Sequence, residues 1–359
     1  MTITEGARLA RFLTGLKIKE WVRPQHHVRP LVAELFLTEN CNLRCVSCAC
    51  WRQVTRDELS TAEWKDVLGQ LAALRIHKVN FTGGEPLIRK DAIELMRFAR
   101  QIGIRHMHLN TNGIRLTDDI RREVLEAGVR SFNVSVDGPD VAMHDRIRGR
   151  QGAFEVTVRH LERLIADRER CGLKLRMNFT VMRTNVDALP DIARLAQRLR
   201  VRLYLNVATD QTFLFRDDEV TGLAAVADER LREAMEEVER VARADARYLP
   251  RYSDLAYVRR HFRDPLQRSL PCAESQLKLM IHSRGEIGGC WGHDPGRNVR
   301  QTTIADLIAG EDYRAEHARL FRKDCVGCGA NYSLNLRVRP RTYVEDGLWR
   351  LGLRSLGSN

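Results

Sequence analysis

From Pro30 onward, strand-like apolar runs alternate with amphipathic helical stretches, and no other feature restricts the fold so tightly. The pattern predicts strands over Leu31–Leu37, Lys78–Thr82, His106–Asn110, Ser131–Val136, Leu173–Val181 and Arg202–Val207. It predicts helices over Thr61–Leu74, Asp91–Gln101, Asp118–Glu126, Phe154–Asp167 and Leu189–Leu199. In the first of these, Thr61 is the expected cap, and Trp64, Val67, Leu68 and Leu71 share one face. Strands separated by helices pair in parallel, and several in series wrap into a full or partial barrel. The expected class is α/β, a partial (β/α)6 TIM-type barrel followed by a small α+β domain. The chain is expected to divide into a basic helical extension (1–30), the barrel (31–215), a charged helical bridge (216–270, with Leu223–Ala242 its clearest helix), the small domain (271–335) and a basic tail (336–359).

Chemically distinctive residues cluster just after the predicted strands, the face on which barrels of this kind carry chemistry. Cys41, Cys45 and Cys48 follow the first strand, Gly83-Gly84-Glu85-Pro86 the second, and Thr111-Asn112-Gly113 the third. Ser135 to Gly138 closes the fourth, and Asp210 lies beyond the sixth. Three thiolates spaced Cys-x3-Cys-x2-Cys on one short loop can hold three corners of a [4Fe–4S] cluster. The fourth iron is then left open to a substrate or cofactor. A zinc knuckle would need a fourth ligand, and Cys50 sits too close to Cys48 to serve well.

Composition narrows the alternatives. The net charge is +12, yet arginines are spread along the chain among 47 acidic residues and aromatics are only 6%, so no nucleic-acid partner is expected. No run of eighteen apolar residues suggests a membrane span, and the start does not read as a secretory signal, so a cytoplasmic location is expected. Nine cysteines in such a chain point to metal or redox chemistry rather than disulfides. Four of them come late, Cys272, Cys290, Cys325 and Cys328, enough to ligate one further cluster completely or one structural zinc. Cys50 and Cys171 are left over, Cys171 on the side of its strand away from the cysteine loop.

The first cysteine triplet, Gly83-Gly84-Glu85-Pro86, Asn112-Gly113, and Ser135-Val136-Asp137-Gly138 followed by His144 and Arg148-Gly149 together resemble the radical S-adenosylmethionine superfamily over roughly residues 31–210. The resemblance implies that the open iron chelates S-adenosylmethionine and that a 5′-deoxyadenosyl radical abstracts hydrogen from substrate. It implies that Gly83 and Gly84 approach the methionine amino group, that Glu85 fixes that local backbone or pairs with the cationic end, and that Asn112 also binds the cofactor. Ser135 and Arg148 would face the carboxylate or ribose, and Asn178 and Asn206 the ribose hydroxyls. The sequence departs from the family at Ser47, where an aromatic ring usually packs on adenine; Trp51 is the substitute. The late cysteines resemble the Twitch form of the auxiliary-cluster domain, implying a second [4Fe–4S] cluster that accepts an electron. Asp210 and His293 are candidate proton acceptors, and Trp291 a cavity residue. The implied partners are a small-molecule substrate and a one-electron reductant such as flavodoxin or ferredoxin. The expected reaction oxidises an alcohol of a sugar, aminocyclitol or aminoglycoside to a ketone. Epimerisation of the same class, or maturation of a ribosomal peptide, is the alternative.

Overall fold

The computed structural model describes residues 11–18, 29–48, 50–52, 55–208, 222–223, 225–263, 272–290, 296–321, 340–351 and 353. Six strands follow the expected alternation closely: β1 (Val32–Thr38), β2 (Lys78–Gly83), β3 (His106–Thr111), β4 (Ser131–Ser135), β5 (Lys174–Val181) and β6 (Arg202–Val207). Each pairs in parallel with the next. After an N-terminal helix α1 (residues 11–18), the crossovers carry α2 (Thr61–Ala73), α3 (Ala92–Gln101), α4 (Asp118–Glu126), α5 (Val141–Arg148), α6 (Ala153–Ala166), α7 (Arg168–Cys171) and α8 (Leu189–Arg198).

The two faces of the sheet differ in kind, because side chains alternate across a strand. Leu35, Leu37, Phe81, Leu109, Phe132, Met177, Phe179 and Leu205 are fully or nearly fully buried in one cluster with helix residues such as Trp64, Leu68, Leu95, Leu161 and Ile192. The alternate positions form the concave face and are mostly polar. Glu34 pairs in register with Asn80, Asn80 with His108, and His108 with Ser131. Asn110 pairs with Asn133, Asn133 with Arg176, and Ser135 with Asn178. A hydrophobic shell therefore encloses a polar lumen.

Four features depart from the expectations. Ser60, not Thr61, caps α2, and it forms a reciprocal capping box with Glu63. Thr61 is already helical and gives its hydroxyl to Asp91 at 2.6 Å. Helix α5 was not foreseen. The late region returns to the barrel sheet: β7 (Lys278–Ile281) pairs in parallel with the free side of β1, and β8 (Ile287–Gly288) closes an antiparallel hairpin on it. The order is β6-β5-β4-β3-β2-β1-β7-β8. The expected helix over Leu223–Ala242 is shifted, becoming α9 (Asp228–Ala244), which packs against α8.

The rest of the described chain comprises α10 (Tyr252–Arg263), α11 (Glu274–Leu277), α12 (Ile304–Ala309), α13 (Glu311–Phe321) and α14 (Pro340–Arg350). Phe12 and Leu16 of α1 pack with Ala273 and Phe321. Among the described residues no helix is long and apolar enough to cross a membrane.

Candidate active site

The carboxyl ends of β1 to β4 surround a cleft of about 160 Å³. Cys41, Cys45, Cys48, Cys50 and Trp51 line one side, and Gly83, Gly84, Asn112, Ser135 and Arg148 the other. Glu85 sits behind the cleft with no exposure. Its carboxylate accepts from Leu87 N at 3.1 Å, Thr111 Oγ1 at 2.9 Å and Asn112 N at 2.8 Å, tying the end of β2 to the end of β3. It therefore fixes backbone, the first of its two expected roles. Burial pushes its pKa up to about 7, against the pull of those three donors and Arg148.

The two glycines are needed against protein rather than open space. A Cβ on Gly83 would stand 2.1 Å from the Thr38 carbonyl oxygen, and one on Gly84 would stand 2.1 Å from that of Asn40. Gly84 N donates to Thr38 O at 2.8 Å and Glu85 N to Asn40 O at 3.0 Å, so this segment is laced to the start of the cysteine loop. Asn112 Nδ2 reaches Asn42 Oδ1 at 2.7 Å and Cys41 Sγ at 3.9 Å.

The far end of the loop rests on α5. Arg44 N donates to Arg148 O and Val46 N to Ile147 O, at 3.2 and 2.9 Å. Arg148, its side chain 11% exposed, pairs with Asp137 Oδ2 at 2.8 Å, while Nη1 donates to Cys45 Sγ at 3.7 Å. Burial opposes its charge, but Asp137 and Cys45 outweigh burial and raise its pKa. Part of the fork expected to face a cofactor carboxylate is thus taken by protein. The Nε–H has no partner among the described residues. Asn178 neighbours Ser135 in register with its Oδ1 unpartnered, and Asn206 pairs with Thr180 farther along β6; neither lines the cleft.

Burial pushes Cys41 up to about 11 and Cys45 upward as well. A hydrogen bond to Cys50, then burial, raises Cys48 far above its ordinary value, and the same bond lowers Cys50. Metal ligation requires these thiols as thiolates. Among the described residues no three His, Cys, Asp or Glu side chains close on one point, as a single ion would need. The thiols instead stand round the cleft. Trp51 donates its indole N–H to Cys45 O at 3.2 Å, with the Arg44 and Arg52 guanidinium carbons 5.8 and 5.0 Å from its ring centroid.

A group that sequence reasoning missed stands beside the start of the cysteine loop. His282, just past β7, stacks on Phe36 with ring centroids 4.5 Å apart, and its Nδ1 lies 3.5 Å from Glu39 Oε1. Glu39 immediately precedes Asn40-Cys41, and its charge is felt at Cys50. Only the β1–β7 pairing brings these residues together, so no local signal announces them. Asp210, Trp291, His293, Cys325 and Cys328 lie outside the described residues.

Residues 35–196 match the sequence pattern of the Radical SAM superfamily. This segment belongs to the radical SAM superfamily. The AdoMet-dependent heme synthase of Oleidesulfovibrio alaskensis is 35% identical over 165 residues, 45% of this chain and 41% of that protein. The PqqA peptide cyclase of Rhodopseudomonas palustris is 35% identical over 174 residues, 47% of this chain and 44% of that protein. The chain thus spans less than half the length of these two relatives. The crystal structure of Streptococcus suis SuiB bound to S-adenosylmethionine shares the fold with a TM-score of 0.62 at 15% identity, over 84% of this chain and 70% of that one. Membership in the radical SAM superfamily implies S-adenosylmethionine and a [4Fe–4S] cluster. The cleft fits both: the three thiols of the Cys-x3-Cys-x2-Cys loop, with Cys50 beside them and no carboxylate among the lining residues, and an Arg148 Nε–H without a partner among the described residues.

Proposed function

We propose that this radical SAM protein oxidises a polar, hydroxyl-bearing substrate held in the barrel lumen. The observation that carries the reading is the polar inner face of β1 to β6 below the cysteine cleft, with the Glu39–His282 pair beside the start of the cysteine loop. When bound, the [4Fe–4S] cluster and S-adenosylmethionine supply a radical that abstracts hydrogen. Cys41, Cys45 and Cys48 would hold the cluster, Arg148 and Ser135 the cofactor, and Trp51 the adenine. Gly83-Gly84 and Glu85 would keep the cysteine loop in position.

Turning an alcohol into a ketone removes one hydrogen atom, one proton and one electron. His282 would take the proton from the hydroxyl at Nε2, its Nδ1–H oriented by Glu39, as a carboxylate orients a basic imidazole elsewhere. Asp210 and His293 remain alternative acceptors. The electron needs a second centre. Supporting this, Ser275 O, three residues after Cys272, would lie 3.0 Å from a Cβ on Gly289, the residue before Cys290. Cys272 N donates to Phe321 O at 3.2 Å, only four residues before Cys325. Cys272, Cys290, Cys325 and Cys328 would hold a Twitch-type [4Fe–4S] cluster that accepts one electron. A reductant such as flavodoxin or ferredoxin would prime the first cluster.

The substrate class we favour is a sugar, aminocyclitol or aminoglycoside-like alcohol, because the lumen presents amides and charges. Peptide maturation is a second reading, favoured by the likeness to a peptide cyclase. The test is anaerobic reconstitution, reduction with dithionite, and incubation with S-adenosylmethionine and a panel of aminocyclitols. The expected result is about eight irons per chain, 5′-deoxyadenosine, and a carbonyl product trapped by a hydrazine. His282→Gln and Cys328→Ala should retain 5′-deoxyadenosine and lose the carbonyl. Absence of 5′-deoxyadenosine, or unchanged carbonyl yield in both variants, refutes the reading.

A further inference from the structure

Two of the three loop sulfurs receive a side-chain N–H from outside the loop. Asn112 Nδ2 donates to Cys41 Sγ at 3.9 Å, and Arg148 Nη1 to Cys45 Sγ at 3.7 Å. Neither donor belongs to the loop: Asn112 follows the end of β3, and Arg148 is the last residue of α5. A thiol sulfur accepts only weakly. A thiolate is an anion, and ligation to metal turns both contacts into charge-assisted bonds.

Both donors are aimed by carboxylates that see almost no solvent. Glu85, with no exposure, takes the Asn112 N–H at 2.8 Å. Asn112 Oδ1 accepts from Ile114 N at 3.0 Å, so the amide is held one way round and its NH2 group must face the loop. One of its hydrogens goes to Asn42 Oδ1 at 2.7 Å, which leaves the other for Cys41. Asp137, 2% exposed, holds Arg148 Nη2 at 2.8 Å and so turns Nη1 onto Cys45. The carbonyls of Ile147 and Arg148 accept from Val46 and Arg44, the residues either side of Cys45. Those backbone bonds already seat the loop. The two side-chain donors add what they do not, a contact with sulfur.

We infer that Asn112 and Arg148 set the reduction potential of the first cluster, each raising it through an N–H···S bond to a ligating cysteine. The potential of an iron–sulfur centre follows its net charge, the hydrogen bonds to its sulfurs and its solvent exposure. Uptake of one electron makes the sulfurs more negative. An N–H donor, and still more a guanidinium, stabilises that state beyond the oxidised one. The electron comes from a one-electron carrier such as reduced flavodoxin, and neither donor gives up its proton. Glu85 and Asp137 are positioning residues behind the two donors. Arg148 keeps its Nε–H for the cofactor. The inference rests on the proposed ligation by Cys41, Cys45 and Cys48 and is independent of the substrate.

The test reads a potential, not turnover. The full chain is reconstituted anaerobically and titrated with dithionite and redox mediators, without S-adenosylmethionine. Electron paramagnetic resonance follows the reduced first cluster, whose signal is the one missing from Cys45→Ala. Arg148→Met and Asn112→Leu keep the bulk of each side chain and remove its N–H. Each should lower the reduced-to-oxidised ratio at a fixed potential about tenfold, about 59 mV for a one-electron couple. Unmoved midpoints at full iron content overturn the inference. So does a raised midpoint, which would mean that the side chains act by governing water at the cluster. One measurement needs no substitution. In the wild type, arginine isotopically labelled in its guanidinium nitrogens should add a nitrogen coupling to the pulsed resonance spectrum of the reduced first cluster. Absence of that coupling removes Arg148 from the cluster and overturns the inference. Iron missing from the wild-type site overturns the ligation itself, and this inference with it.

Discussion

Asp137 holds the site together from a position with almost no solvent. It is 2% exposed, pairs with Arg148 through Oδ2, and accepts from Thr180 N through Oδ1 at 2.8 Å. Removing one partner of a buried pair strands the other. Asp137→Asn should therefore cost about 3–5 kcal/mol in urea unfolding; a loss within error of zero would mean that Arg148 finds solvent. His144 makes a pH prediction. Its Nδ1 accepts from Asp137 N–H at 3.2 Å, and burial, then Arg148, pushes its pKa down to about 3. The folded value lies below the ordinary 6.5, so the neutral ring's contribution is complete above pH 6.5 and is lost as pH falls toward 3. Stability should decline across that window by up to about 1.4 kcal/mol per pH unit. His144→Asn should flatten that part of the slope, and an unchanged slope contradicts the assignment. The Ser135-Val136-Asp137-Gly138 run was visible in the sequence. The partners of Asp137 were not, because Arg148 and Thr180 meet it only through α5 and β5.

Among the elements, α5 carries an unexpected load. It is short, capped by Asp140, and buries only His144 and Ile147, so its periodicity is too weak to read. Its C-terminal end nonetheless supports the cysteine loop. Gly149 ends it at φ 65°, and a Cβ there would stand 2.3 Å from Arg44 O. Gly149→Ala should push the loop off its seat and lower iron incorporation after reconstitution, while far-UV circular dichroism stays unchanged. A full iron complement would show the loop to be anchored elsewhere. β7 was missed for a related reason. Its four residues are all buried, and a run that short has no period to detect. The six longer strands and their helices were legible because each is long enough to show its repeat and is bounded by turn residues.

For the whole molecule, the late region completes the sheet that carries the first site. β7 occupies the outer side of β1, whose residues 33, 35 and 37 are wholly buried. A chain ending at residue 271 would leave that backbone edge unpaired, and open edges associate. Such a truncation should aggregate by light scattering where the full chain does not; a monodisperse product would show β1 to be protected without β7. The same pairing brings His282 to Glu39. The sequence by itself determined the alternating architecture, the radical SAM segment and the cysteines at its head, because those depend on local periodicity and on fixed spacing within single loops. Tertiary structure alone decided that Glu85 and Asp137 face protein donors, and that β7 closes on β1. Each of these depends on pairings between residues distant in the chain, which leave no periodic trace along it.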